Sequence, residues 1–234
     1  PSAALATGNP VVVKPASATR GIAWAMCDAL WQAGVPADAL QFVPGSGETG
    51  AALVRDPRVA LIAFTGSLQV GLDILQAAAA MPEAQDHVKK VVCEMGGKNA
   101  IIVDDSADMD EAVLGVRQSA FGYSGQKCSA CSRVIVVADV YEVFLRRLVN
   151  ATRSLIIGDP LDPGTDIGPL INASAAEKVR RYIELGQQEG TLELACEAPP
   201  GLEQRVGKPF VGPHIFSGIQ PQHRLAQEEI FGPV

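Results

Sequence analysis

Cys128 lies in the stretch YSGQKCSAC (123–131), where the small or polar neighbours Ser124, Gly125, Lys127 and Ser129 leave room around its thiol. An accessible thiol serves as a nucleophile once deprotonated. Cys131, three residues on, keeps a reversible dithiol open as a second reading. A zinc site is disfavoured, because structural zinc needs four Cys or His ligands: no second close pair exists, His87, His214 and His223 are isolated, and Cys196 has no partner at motif spacing. No metal is expected. Cys93, inside an apolar run, reads as a buried small hydrophobe. Glu94 closes that run and is followed by Met95-Gly96-Gly97, open backbone that suits a carboxylate acting on substrate or water. A salt-bridged structural glutamate would look the same. Serine catalysis lacks a G-x-S-x-G elbow.

A second set of residues suggests an anionic ligand. Gly45, Gly47 and Gly50 follow the run QFV with the spacing of a dinucleotide fingerprint, a tight turn feeding a helix N-terminus. The acidic residue expected about twenty positions on is missing, and Ala63-Phe64 occupies its place. FTGS (64–67) is another strand-to-helix turn, where Thr65, Gly66 and the Ser67 hydroxyl can meet a phosphate or simply cap a helix. Lys14, at a strand end before Pro15, donates to sugar hydroxyls or phosphate, or is merely solvated.

The elements that must position these groups alternate. VVVK (11–14), ALQFV (39–43), VALIAF (59–64) and KKVVCE (89–94) read as strands. Between them lie a helical stripe over 20–31, ended by Gly34 and Pro36, a short helix at 47–54, and a stripe through Leu68, Leu72, Leu75 and Ala79. Near Met95 a second section begins: strand NAIIV (99–103), a helix over 108–120, strand RVIVV (133–137), and helices through Val140–Leu148 and Ala176–Ile183. Residues 158–168 read as a Gly, Pro and Asp loop, and 191–213 give no clear pattern. Apolar strands alternating with helices predict an α/β fold with a parallel sheet covered on both faces.

Composition removes other classes. With 47% hydrophobic and 19% charged residues among 234, a disordered chain is excluded. The net charge of -7 carries no concentrated basic stripe, so no nucleic-acid partner is expected. No apolar run approaches the roughly 20 residues of a bilayer span. Five cysteines in a chain of this size favour a reducing compartment, hence a cytoplasmic location or a mitochondrial matrix in a eukaryote. The terminal EEIFGPV stops with an apolar stretch still running, and a longer parent chain is expected.

Taken in order, GNPVVVKP (8–15), QFVPGSG (41–47), FTGS (64–67), CEMGGKNA (93–100), GQKC (125–128) and EEIFGPV (228–234) resemble the NAD(P)-dependent aldehyde dehydrogenase superfamily over almost the whole chain. FGYSGQKCSACSRV (121–134) is most similar to its L-glutamate γ-semialdehyde branch, the 1-pyrroline-5-carboxylate dehydrogenases of proline degradation. The resemblance implies a partial Rossmann-type NAD(P)-binding domain at 1–94 and a partial catalytic domain at 95–234. It implies Cys128 as nucleophile, attacking the aldehyde to give a thiohemiacetal and then a thioester, and Glu94 as the general base for hydrolysis. Lys14 matches an adenine-ribose contact and Ser67, with Thr65 and Gly66, the pyrophosphate turn. Glu229 matches the carboxylate on the nicotinamide ribose, Phe231 the wall beside it, and Ser129 a holder of the substrate's α-carboxylate. The Gly45–Gly50 turn, Gly47 included, is implied to lie nearer the adenosine than the pyrophosphate.

Two departures accompany the resemblance. Ser17 stands where many members carry a ribose-binding Glu, which weakens discrimination against NADP while NAD remains the expected cofactor. The family's oxyanion asparagine belongs before Pro1, and a carboxylate anchor and an oligomerisation strand belong after Val234. The stretch alone is therefore expected to be inactive. The parent is expected to be a homo-oligomer acting on a small aldehyde, in some members fused to proline dehydrogenase. Another small or carboxylated aldehyde is the alternative substrate, and a non-catalytic homologue the alternative function.

Overall fold

Runs of β-branched residues separated by helical stripes become strands and helices in the computed structural model, which describes residues 1–234. The chain divides into two units, Pro1–Met95 and Gly96–Val234.

The first unit runs α1 (Ser2–Ala6), β1 (Val11–Val13), α2 (Arg20–Gln32), β2 (Leu40–Phe42), α3 (Gly47–Arg55), β3 (Leu61–Thr65), α4 (Leu68–Ala79) and β4 (Lys90–Glu94). A helix between two strands lets the chain return in the same direction, and β1 pairs parallel to β2, as β3 does to β4. Val13 ends opposite Phe42 and Thr65 opposite Glu94, so the pairs finish together at their carboxyl ends. Cys27 of α2 and Leu40 of β2 are fully buried. Trp31 seals that contact by donating its indole N–H to the Leu40 carbonyl at 3.0 Å, with the Trp24 ring edge-on to it.

The second unit runs β5 (Asn99–Val103), α5 (Met109–Phe121), β6 (Cys131–Val136), α6 (Ala138–Arg153), α7 (Ala173–Glu189), β7 (Thr191–Ala195), α8 (Leu202–Val206), β8 (His214–Ser217) and α9 (Arg224–Gln227). β5 and β6 are parallel, with α5 and α6 against one face. Asp108 starts α5 by accepting from the N–H groups of Asp110 and Glu111. Val103, Val116, Phe144, Leu148 and Ile167 form the core beneath. A second cluster gathers Leu170, Val179, Val211, Leu225 and Ile230.

Three expectations change. The parallel pairs are not covered on both faces: Ile102 is 73% and Ile135 54% exposed, and Leu61 and Val92 of the first unit are also exposed, because alternate strand residues point away from the helices. Cys93 is only half-buried, its thiol facing the Gly71 carbonyl at 3.8 Å. The unpatterned 191–213 region holds β7 and α8 and leads into β8, which is antiparallel to β7. A register shift between Leu192 and Leu194 breaks the alternation there, and α8 is a five-residue helix flanked by left-handed Gly201 and Gly207. No helix is long and apolar enough to cross a membrane.

Leu170 is fully buried in the second cluster. Leu170→Ala in the full-length protein lowers its unfolding free energy by about 2–5 kcal/mol, read as an earlier denaturant midpoint at unchanged slope.

Candidate active site

The peptide that carries Cys128 is built from backbone few sequences adopt. After α5, Tyr123, Ser124 and Gly125 take φ of 57°, 55° and 68° in succession, a left-handed turn. Left-handed geometry costs a non-glycine residue roughly 1–2 kcal/mol, so neighbouring groups must hold it. Ser124, 2% exposed, donates its hydroxyl to the Gly168 carbonyl at 2.8 Å. Gln126 donates its amide to the carbonyls of Tyr123 and Pro169, both at 3.3 Å, and accepts from the Ile171 N–H at 3.0 Å. Gly125 is pressed against the Gly232 carbonyl and has no room for a Cβ.

The chain then turns again. The Ala130 N–H donates to the Lys127 carbonyl at 3.1 Å, which places Cys128 and Ser129 at the centre of a four-residue turn. Both are exposed. Asn99, at the start of β5, donates its side-chain amide to the carbonyls of Cys128 at 2.6 Å and Ala130 at 3.3 Å. All five cysteines are free, but Cys131 is only 3% exposed in β6, and burial pushes its thiol up. Cys128 is thus the open thiol of the pair.

The EEIFGPV segment comes to the same place. Gly97, Gly125, Lys127, Ser132, Glu229 and Phe231 line one small cleft. The Glu229 carboxylate lies against Gly96, where a Cβ would collide with it. Phe231 has a φ of 60° and is 41% exposed. Its segment is tethered through Glu228, which accepts from the Arg224 guanidinium at 2.8 and 3.0 Å and from the Tyr182 hydroxyl at 2.7 Å. These bonds, Arg224's first, hold the Glu228 carboxyl down to about 2. The Glu189 carboxylate in turn accepts from the N–H groups of Arg224 and Leu225 at the start of α9.

Lys98 carries a buried amine with no hydrogen-bond partner. Burial, with the Arg133 guanidinium nearby, pulls it down from 10.5 to about 8. The folded state therefore disfavours its charge, and that penalty fades as pH rises from 8 toward 10.5. Below pH 8, Lys98→Met in the full-length protein melts higher than its parent, and the two melting temperatures converge on going to pH 10. A gap independent of pH would show that packing, not charge, sets the difference.

In the first unit the expected ligand contacts cluster at carboxyl ends of strands. Lys14 follows β1, and its stem passes Gly50 of α3. Ser46 caps α3 by accepting from the Glu48 N–H at 3.2 Å, with Gly47 as the first helical residue. Thr65 and Gly66 lead into Ser67, whose hydroxyl caps α4 by accepting from the Val70 N–H at 3.5 Å. Glu94 is exposed at the end of β4, and its carbonyl accepts from the Gly66 N–H at 3.0 Å. Ser17 is exposed, and its carbonyl accepts from the Arg20 side chain at 3.0 Å.

Lys98, Asn99 and Gln126 escaped the sequence reading although they sit inside CEMGGKNA and GQKC. Polar side chains next to glycines and to the expected base and nucleophile were the available signal. Tyr182 and Glu228 had none, being 46 residues apart.

The aldehyde dehydrogenase family model matches residues 2–234. The chain is 48% identical over 233 residues to a 1-pyrroline-5-carboxylate dehydrogenase of Geobacillus thermodenitrificans, covering 99% of this chain and 44% of that protein. Among solved structures, proline utilization A from Bdellovibrio bacteriovorus superposes with a TM-score of 0.94 at 42% identity, covering all of this chain and 24% of the other. A Thermus 1-pyrroline-5-carboxylate dehydrogenase with bound NAD gives 0.90 at 42% identity, over 98% of this chain and 43% of that one. The chain thus spans less than half the length of the curated relatives it matches. With the match running from residue 2 to 234, the chain belongs to the aldehyde dehydrogenase family.

Proposed function

We propose that the full-length protein oxidises L-glutamate γ-semialdehyde, in equilibrium with 1-pyrroline-5-carboxylate, to L-glutamate with NAD. The observation that carries this reading is the exposed Cys128 on a tightly held turn, in a chain 48% identical to a 1-pyrroline-5-carboxylate dehydrogenase. Residues 1–94 act as part of the cofactor domain and 95–234 as part of the catalytic domain.

The residues present fit a dinucleotide. In the first unit, Lys14 and two serine-capped helix starts, at Ser46 and Ser67, follow strand ends, the arrangement in which open parallel sheets bind phosphates. Lys14, Ser17 and Gly47 serve the adenosine side, and Thr65, Gly66 and Ser67 the pyrophosphate. In the second, the Glu229 carboxylate offers acceptors for ribose hydroxyls beside the Phe231 ring. NAD supplies the hydride acceptor. NADP is the lesser alternative, admitted by Ser17.

The protein's own residues do the rest. The Cys128 thiolate forms a carbon–sulfur bond to the aldehyde carbon; after oxidation this is a thioester. Glu94 takes the proton of the hydrolytic water, and the carbon–sulfur bond breaks to free the acid and the thiol. Ser129, at the next turn position, holds the substrate α-carboxylate. The free thiols of all five cysteines accord with a reducing, cytoplasmic setting, and the likeness to proline utilization A with a proline dehydrogenase domain in the parent. A homo-oligomeric parent completes the proposal.

The test compares kcat/KM for pyrroline-5-carboxylate and for aliphatic aldehydes with either nicotinamide nucleotide. Pyrroline-5-carboxylate with NAD should give the highest value; a strong preference for an aliphatic aldehyde would overturn the substrate assignment.

A further inference from the structure

The turn Lys127–Ala130 can be closed with its central peptide in either of two orientations. The peptide between the second and third residues flips by about 180° between the two common turn types. Here that peptide joins Cys128 to Ser129, so its orientation sets the backbone torsion of the thiol-bearing residue. It also decides which way the Cys128 carbonyl and the Ser129 N–H point. One of the two orientations places the third residue in the left-handed region, and Ser129 is not left-handed. The local preference is modest, and the adjoining Tyr123–Gly125 backbone is already left-handed.

Asn99 acts on this peptide from outside the loop. Its amide nitrogen lies 2.6 Å from the Cys128 carbonyl and 3.3 Å from the Ala130 carbonyl. Both partners are acceptors, which assigns the nitrogen rather than the oxygen to this side, and one hydrogen goes to each carbonyl. Asn99 is itself anchored. Its carbonyl accepts from the Ser132 hydroxyl at 3.3 Å, and it stands opposite Cys131 where the β5–β6 register shifts. No longer or shorter side chain at that strand position would present two donors to the same two carbonyls.

We propose that Asn99 is a positioning residue for the Cys128 thiolate, its two amide hydrogens locking the Cys128–Ser129 peptide in one orientation. The proposal rests on the reading of Cys128 as the nucleophile. It adds a group that touches neither substrate nor cofactor and acts through the turn. Its loss lets the peptide sample both orientations, so that only a fraction of molecules present the thiol toward the aldehyde.

The test uses the full-length protein and Asn99→Asp and Asn99→Ala. The first keeps the shape but turns a carboxylate oxygen, an acceptor, toward the two carbonyls; the second removes the bonds. The probe is iodoacetamide, with the rate of alkylation at Cys128 followed by peptide mass spectrometry across pH, beside kcat with saturating pyrroline-5-carboxylate and the Kd for NAD. Asn99→Ala should lower both alkylation and kcat about tenfold, and Asn99→Asp about a hundredfold, the range that one or two hydrogen bonds govern. The Kd for NAD should stay within about twofold, a difference small beside a single hydrogen bond. The ratio of Asn99→Asp to parental alkylation should also climb as pH falls into the carboxylic acid range, because the introduced carboxyl, once protonated, donates again. A role in stability alone would not produce that rise.

Parental alkylation and kcat in a folded Asn99→Ala would overturn the proposal. Should Asn99→Asp fail to fold, Asn99→Ala and Asn99→Ser decide by the same two rates. Failure of the underlying reading shows elsewhere: Cys128→Ala would retain turnover, whatever the Asn99 variants do.

Discussion

Cys128→Ala in the full-length protein lowers steady-state dehydrogenase turnover by at least about 10,000-fold, the scale on which an enzyme loses its covalent nucleophile. The effect is so large because none of the other cysteines of this stretch is placed to take over. Cys131 is buried in β6 with its thiol pushed up, and the other three cysteines lie in separate elements or loops. Intact-mass measurement after incubation with substrate should show no acyl adduct, while NAD binding, measured by titration calorimetry, persists. Retained turnover in this variant would remove the nucleophile assignment and the mechanism with it.

Glu94→Gln should separate the two halves of the reaction. An amide cannot accept the proton of the hydrolytic water, so the thioester on Cys128 forms and then accumulates. Steady-state kcat falls by about 100- to 10,000-fold, the usual contribution of a positioned general base. Rapid-quench experiments should reveal a burst of reduced cofactor approaching one per active site, with an acyl mass on the peptide containing Cys128. Parental turnover without accumulated acyl-enzyme would assign the base elsewhere. Because Glu94 is exposed at the end of β4 and makes no side-chain hydrogen bond that an amide would break, the exchange leaves the fold unchanged.

Strands β1 to β6 were legible because each holds a short run of Val, Ile, Leu or Phe set between helical stripes, and the parallel direction of each pair follows from the crossover helix. The β7 to β8 region was not, since its pairing joins residues 19 to 26 apart across α8 and a register shift. Within this stretch, which spans less than half the length of its relatives, the parallel pairs expose one face, at Ile102 and Ile135. Periodicity reports that a side chain is apolar, not what lies over it. Among the candidate residues, Cys128, Glu94 and Ser67 stood out because small residues, glycines or strand ends surround them, and Glu229 only through the motif resemblance. The groups that hold these segments did not: Ser124 reaches Gly168, Gln126 reaches Ile171 and Tyr182 reaches Glu228, each across more than forty residues. Such partners are chosen by the tertiary fold, and no local pattern encodes them.

The left-handed turn at Tyr123–Gly125 has a consequence for mirror-image chemistry. A D-residue is at ease where an L-residue is strained, so semisynthesis with D-alanine at position 123 should relax the loop, while a β-branched L-residue there would be the hardest to accept. Position 124 is narrower still. It needs a left-handed backbone and also a short hydroxyl to reach the Gly168 carbonyl. Glycine would meet the first demand and forfeit the second, leaving the loop free to relax into shapes that no longer present Cys128. Among the twenty encoded residues, serine comes nearest to meeting both demands. The room for variation next to the thiol is therefore set by handedness as much as by chemistry.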